Sequence, residues 1–111
     1  MGDNPEKRFV KHLKSLKEHS QDYINGKKKG FLGSKEFSEK DYEHTFKEIN
    51  NSMNNLFAMW RLKLPDTILA NKSYVDFMGH LPTIRNVLNN SSNDVQKVKG
   101  FLSKLVNEIP L

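Results

Sequence analysis

The chain has 111 residues, of which 36% are hydrophobic and 28% charged, with a formal net charge of +5 and no cysteine. This length allows one hydrophobic core and excludes two, and the lack of cysteine excludes disulfides and thiolate metal sites. No stretch approaches the roughly 18 apolar residues that span a bilayer, so we predict a single domain over residues 1–111 with no membrane segment.

A first helix is predicted over residues 5–24. Asn4 and Pro5 are typical of a helix start, because an Asn side chain caps free amides and proline fits the first turn. Gly26 is a typical C-terminal stop. Between them, apolar residues recur at helical spacing: Phe9, Val10, Leu13, Leu16, Tyr23 and Ile24.

Residues 25–37 contain three glycines, the basic run 27–29 and no sustained period, so they are predicted to form a flexible exposed loop. The run is not a phosphate-binding loop, because no strand precedes it and no Gly-Lys-Ser/Thr follows. It is either a solvated stretch or a short basic contact.

A second helix follows and should end near Leu62, since Pro65 disfavours a helical residue before it. Ser38 and Asp41 have the spacing of a capping box, and Phe37 and Tyr42 that of a hydrophobic staple. Apolar residues recur at steps of three and four along one face of this helix, so we predict that the face is buried in the core and is not a binding surface. The face comprises Tyr42, Phe46, Ile49, Met53, Leu56 and Trp60, with Phe57 and Met59 beside it.

Three further segments are predicted to be helical. A short helix covers 65–71, and Ser73 with Asp76 repeats the capping spacing before a fourth helix whose early turns Gly79 and Pro82 should make irregular. Polar residues 89–94 form a turn, and a fifth amphipathic helix runs from about Val95 to Ile109. The fold class is therefore all-α, a compact bundle of four to five helices, which we expect to be monomeric.

The sequence offers no pattern of catalysis. His12 and His19 share a helix face with Asp22 nearby, but a metal site needs a third well-placed ligand and none is evident, so exposed or structural roles are favoured. Neither a nucleophile with its base nor a pair of buried carboxylates is evident. We expect no enzyme activity, no metal and no cofactor.

From Leu64 onward the chain resembles the N-terminal domain of transcription elongation factor S-II, also found in elongin A, and most of all its variant, the integrase-binding domain of lens epithelium-derived growth factor. The residues that carry the resemblance are Leu64-Pro65-Asp66-Thr67, Asp76-Phe77-Met78, Leu81, Ile84-Arg85 and the helix 95–109, with Leu56, Met59 and Leu62 upstream. The resemblance implies a right-handed bundle of about five helices that serves as an adaptor. It implies docking of short, disordered, acidic motifs with a large apolar anchor, from transcription or chromatin regulators.

The resemblance also implies where a partner binds, namely at two loops between helices. The second loop corresponds to Arg85, Val87, Leu88 and Asn89, with Val87 where the integrase-binding variant has an aromatic side chain. For the first loop, Phe31, Leu32 and Phe37 are candidates by location, and they either pack over one end of the bundle or form part of a partner groove. Asp41 is a candidate for the family's partner-anchoring carboxylate, with helix capping as the alternative.

Two other functions remain open at this point. A self-contained bacterial or phage protein, of the immunity-protein or antitoxin type, is also small, basic and free of cysteine. Weak nucleic-acid binding through Lys27 to Lys29 is the other, although dedicated modules carry denser basic faces with exposed aromatics. The resemblance implies a nuclear location; without it we expect a cytoplasmic one.

Overall fold

The computed structural model describes residues 4–30, 33–61 and 64–111. Its first helix, α1, spans Pro5–Asn25. Both of its predicted ends are confirmed. The Asn4 side chain accepts a hydrogen bond from the Glu6 amide at 2.9 Å, and Gly26 adopts a left-handed conformation with φ of 62°. The Gly26 amide donates to the Asp22 carbonyl at 2.9 Å, so the last turn closes on a residue type that needs no Cβ there.

A β-hairpin follows α1 where the sequence analysis predicts an exposed loop. Strand β1 (Lys27–Gly30) pairs antiparallel with β2 (Gly33–Glu36), and the Phe37 amide donates to the Gly26 carbonyl at 2.8 Å. Lys27 lies opposite Glu36, a favourable cross-strand pair. The prediction of a flexible loop is wrong. These strands are four residues long and polar, so their sequence has no alternation of apolar and polar residues from which strand pairing could be predicted.

The remaining helices are α2 (Glu39–Arg61), α3 (Asp66–Leu69), α4 (Lys72–Asn90) and α5 (Val95–Glu108). The predicted cap of α4 is wrong: Asn71, not Ser73, accepts the Tyr74 amide, at 3.3 Å, and α4 is already helical at Lys72. Pro82 lies inside a continuous helix. We attribute this to the burial of Phe77, Met78 and Leu81, whose packing outweighs the amide that proline lacks.

Buried apolar side chains from α1, α2, α3, α4 and α5 form one cluster. Met53 and Met59 belong to it, and Phe57 and Trp60 pack against it half-exposed, which confirms the predicted structural role of this face. The all-α prediction of a compact bundle of four to five helices is also confirmed, with the hairpin as an addition.

Two aromatic clusters define the ends of the bundle. Near the start of α1, Phe9 contacts Trp60 of α2 and Tyr74 of α4, with ring centroids 5.9 and 5.1 Å apart. Near its end, Tyr23 contacts Tyr42 at 5.0 Å. Helices α1 and α2 are therefore antiparallel, and the hairpin lies at the end that holds Tyr23.

Candidate functional site

The two segments singled out by the sequence meet at one end of the molecule. The turn between α4 and α5 lies beside the start of α2 and the end of α1, since Ser92 and Asn93 line the same concavity as Tyr23 and Tyr42. On the second turn of α5, the Lys99 ammonium lies 5.3 Å from the centroid of the Tyr42 ring. The hairpin and the α4–α5 turn thus form one region, which we call the hairpin end.

One depression at the hairpin end lies between the hairpin, α1 and α5. It is open and has a volume of about 1300 Å³. Its apolar lining comes from Ile24, Phe37 and Val106, all half-buried. Its polar lining is mixed in charge: Glu18, Gln21, Asp22, Asn25, Lys27, Lys28, Ser103 and Asn107. We call this depression the hairpin groove, and its length along two helices suits an extended segment of chain rather than a small molecule.

A second, smaller depression lies between α2 and the α4–α5 turn, with a volume of about 430 Å³. Its base is apolar and largely aromatic, formed by Tyr23, Tyr42, Phe46 and Val95, and its polar edge by Glu39, Glu43, Lys47, Ser92 and Asn93. We call it the aromatic groove. The Tyr23 and Phe46 rings are 6.4 Å apart and inclined at 60°; Tyr23 is buried, whereas Phe46 is half-buried and keeps part of its ring exposed.

Tyr42 lines the aromatic groove and contacts Phe37, which lines the hairpin groove. Its ring makes an edge-to-face contact with Phe37, at 5.2 Å and 80°, which confirms the predicted staple. The other contacts of the ring are Tyr23 at 62° and the Lys99 ammonium. The side chain therefore fixes the base of the hairpin to both α1 and α5, and Phe37 packs over the end of the bundle while it also lines the hairpin groove.

Asp41 holds the hairpin to α2 electrostatically. Its carboxylate accepts the Ser38 amide at 2.9 Å and the Ser38 hydroxyl at 3.0 Å, and the Lys28 ammonium lies 2.9 Å away. The backbone hydrogen bond from Ser38, and then the bond from Lys28, lower the pKa of Asp41 to about 2. The capping interpretation of Asp41 is confirmed, and its oxygens are already bound within the chain.

This arrangement predicts how acid affects stability. The folded-state pKa of Asp41 lies below the unfolded value of 3.8, so the contribution is present above pH 3.8 and is lost as the pH falls towards 2. We expect Asp41→Asn to have a lower melting temperature than the wild type at pH 6, and a difference that shrinks as the pH falls through 3.8 towards 2. A difference that stays constant from pH 6 to pH 2 contradicts this. With Lys28→Gln in both chains, the difference at pH 6 should shrink.

None of the four candidate residues of the second segment lines either groove. Leu88 is fully buried in the core, so the expectation that this side chain contacts a partner is corrected. The Arg85 guanidinium lies 5.4 Å from the Phe57 ring on α2, a cation–π contact along the bundle. Val87 is half-buried and Asn89 exposed, and neither lines the two grooves. Phe31 and Leu32 lie outside the described residues.

Two of the histidines lie near one carboxylate of α2. His19 of α1 faces α2, with its Nε2 3.8 Å from Glu48, and His44 lies 3.9 Å from the same carboxylate. Burial, with Arg8 and Lys11 nearby, lowers the pKa of His12. Within residues 4–30, 33–61 and 64–111 no group of three or more His, Asp or Glu side chains is placed to hold a metal ion.

Over the residues that the structure describes, the fold is thus a bundle of five helices with a basic hairpin and two grooves at one end. Comparison with known proteins finds no matching family model, no matching curated protein and no matching solved structure. Among the helices of the described part of the chain, none combines the length and apolar character needed to cross a bilayer.

Proposed function

We propose that this protein is an adaptor that binds short, disordered, acidic segments of other proteins through the hairpin groove. The observation that carries the proposal is that the hairpin holds Phe37, Lys27 and Lys28 beside an open depression between α1 and α5. Apolar and basic groups that share one groove fit a segment with one large apolar side chain and flanking carboxylates.

The apolar part of the groove supports binding of the anchor. Ile24, Phe37 and Val106 come from three different elements and are only half-buried, so they retain apolar surface for a ligand. Two of them lie on helices packed into the core, and Phe37 is fixed by Tyr42. A preformed apolar pocket limits the ordering cost of binding, which favours a flexible ligand.

The charge distribution supports an acidic ligand and indicates on which side of the groove its carboxylates lie. Residues 26–38 carry four lysines and one glutamate, against a net charge of +5 for the whole chain. Lys28 is 59% exposed even while paired with Asp41. Glu18 and Asp22 line the α1 side of the groove, so ligand carboxylates should lie towards the hairpin.

The resemblance to the elongation factor S-II domain supports partners among transcription or chromatin regulators, and with them a nuclear location. In that family short acidic motifs bind at interhelix loops, and the hairpin is the connection between α1 and α2 here. Leu64, Phe77 and Leu81, three of the residues that carry the resemblance, are buried in the core.

A titration tests the proposal. A labelled peptide with one phenylalanine flanked by aspartates is expected to bind and to shift amide resonances of residues 24–28, 37 and 103–107. Val106→Ala should weaken binding by about fivefold, since it removes apolar contact worth roughly 1 kcal/mol, whereas Val75→Ala, at an exposed position outside the groove, should not. Lys27→Glu should weaken it by a similar factor at low salt, and Lys72→Glu by less.

Three outcomes count against an acidic ligand in the hairpin groove. One is equal binding of a peptide whose aspartates are replaced by lysines. Another is an equal loss for the Val75 and Val106 variants. The third is a set of shifts confined to residues outside the groove, which places the peptide elsewhere.

A further inference from the structure

We infer that the aromatic groove is a second binding site, which takes an arginine side chain of a partner protein. It is separate from the hairpin groove and has the opposite charge preference. The inference rests on three observations: half-exposed aromatic rings, carboxylates at the edge, and an intramolecular cation in contact with one of the same rings.

The aromatic base suits a guanidinium group. Tyr42 and Phe46 are half-buried one turn apart on α2, and the buried Tyr23 ring lies against both. A guanidinium is planar, weakly hydrated and stacks on aromatic faces, whereas an ammonium keeps more of its water. A volume of about 430 Å³ accommodates one long side chain.

The edge supplies the hydrogen-bond acceptors that a guanidinium needs. Glu39 and Glu43 lie four residues apart, on one face of α2, and both are exposed. Two cations lie near them, Lys47 in the lining and the Lys99 ammonium 5.3 Å from the Tyr42 ring. With Asp94 the carboxylates outnumber these cations, so the groove is less basic than the chain as a whole. Asp94 is also close, since its charge contributes to the raised pKa of Tyr23. Carboxylates near aromatic faces offer a guanidinium both stacking and charge-assisted hydrogen bonds.

One intramolecular contact places a cation against a ring of this groove. The Lys99 ammonium lies 5.3 Å from the Tyr42 centroid without lining the aromatic groove, so it approaches the ring from outside that groove. The Arg85 guanidinium of α4 lies 5.4 Å from Phe57 of α2, a ring outside the groove, so this chain already uses a guanidinium on an aromatic face. Among the cation–π contacts of the described residues none involves Phe46.

The test compares two ligands of nearly identical shape. Acetyl-Gly-Arg-Gly-amide is titrated against the citrulline peptide, in which the guanidinium is replaced by a neutral urea. We expect the arginine peptide to shift amide resonances of residues 39–47 and 92–95, and the citrulline peptide to bind at least about fivefold more weakly. Glu39→Gln with Glu43→Gln should weaken arginine binding by about fivefold, and Lys47→Gln should strengthen it by about twofold.

A matched double variant distinguishes the effect of the groove carboxylates on arginine binding from the effect of the net charge of the whole protein. Glu36→Gln with Glu108→Gln removes the same charge at exposed positions outside the groove and should leave arginine binding unchanged. Equal binding of the two peptides overturns the inference, as does an equal loss in the two double variants. The acidic peptide of the hairpin groove should bind the Glu39/Glu43 variant as well as the wild type, so failure of one site does not imply failure of the other.

Discussion

Gly26→Ala is expected to lower the free energy of unfolding by about 2 kcal/mol or more. Gly26 has φ of 62°, where a side chain costs about 1–2 kcal/mol in backbone strain. A Cβ at this position also meets the Tyr42 hydroxyl, which must then move. Because Tyr42 fixes Phe37 and receives Lys99, the substitution disturbs both grooves as well as the helix end. Chemical denaturation gives the change in unfolding free energy.

Gly100→Ala is the matched control. Gly100 lies inside α5, where an added Cβ meets no atom within 4 Å, so the same chemical change should stabilise the protein by about 0.5–1 kcal/mol through helix propensity. Opposite signs for the two substitutions are the expected result. If both substitutions stabilise, Gly26 does not hold the left-handed position, and the anchoring of the hairpin by Tyr42 must be abandoned.

The helix ends were the most predictable part of the fold, because local side-chain chemistry determines them. Asn4, Gly26, Ser38 and Asp41 act where their residue types and spacing predict. The start of α4 shows the limit of this reasoning. Both Asn71 and Ser73 are good capping residues, and only the path of the chain after α3 decides which of them has a free amide within reach.

The hairpin escaped prediction for a physical reason. The strand residues whose exposure the structure describes are all exposed, and the sequence of the two strands has no alternation of apolar and polar residues. Tertiary contacts specify the hairpin instead. They are the Lys28–Asp41 ion pair, the hydrogen bond from the Phe37 amide to the Gly26 carbonyl, and the contact between the Phe37 and Tyr42 rings. The staple spacing of Phe37 and Tyr42 was the one local sign that this segment returns onto α2.

The grooves were less predictable than the elements that form them. Val106 and Glu43 lie on regular amphipathic helices, and nothing local marks them as neighbours of a groove. Their role depends on which helix ends meet, which periodicity does not specify. Leu88 shows the converse error, because a resemblance carried by apolar positions cannot distinguish a pocket residue from a core residue.

The raised pKa of Tyr23 predicts that the protein loses stability at alkaline pH. Burial, with Tyr42 and Asp94 nearby, raises the pKa of Tyr23 from 10.0 to about 12. A raised pKa in the folded state means that the contribution is complete below pH 10 and is lost as the pH rises to 12, because the unfolded chain ionises first. Two pKa units correspond to about 2.7 kcal/mol, and since Tyr23 also lines the open aromatic groove, we expect about 1–2 kcal/mol.

Tyr23→Phe isolates this contribution from the titration of the lysines and of the other tyrosines. Its unfolding free energy should fall less steeply than that of the wild type between pH 10 and pH 12, with parallel curves below pH 10. The difference in absorbance at 295 nm between the two folded proteins should titrate with a midpoint near pH 12. Parallel curves over the whole range, or a midpoint near 10, contradict the burial of this hydroxyl. An arginine peptide bound in the aromatic groove stabilises the tyrosinate, so it should lower the midpoint.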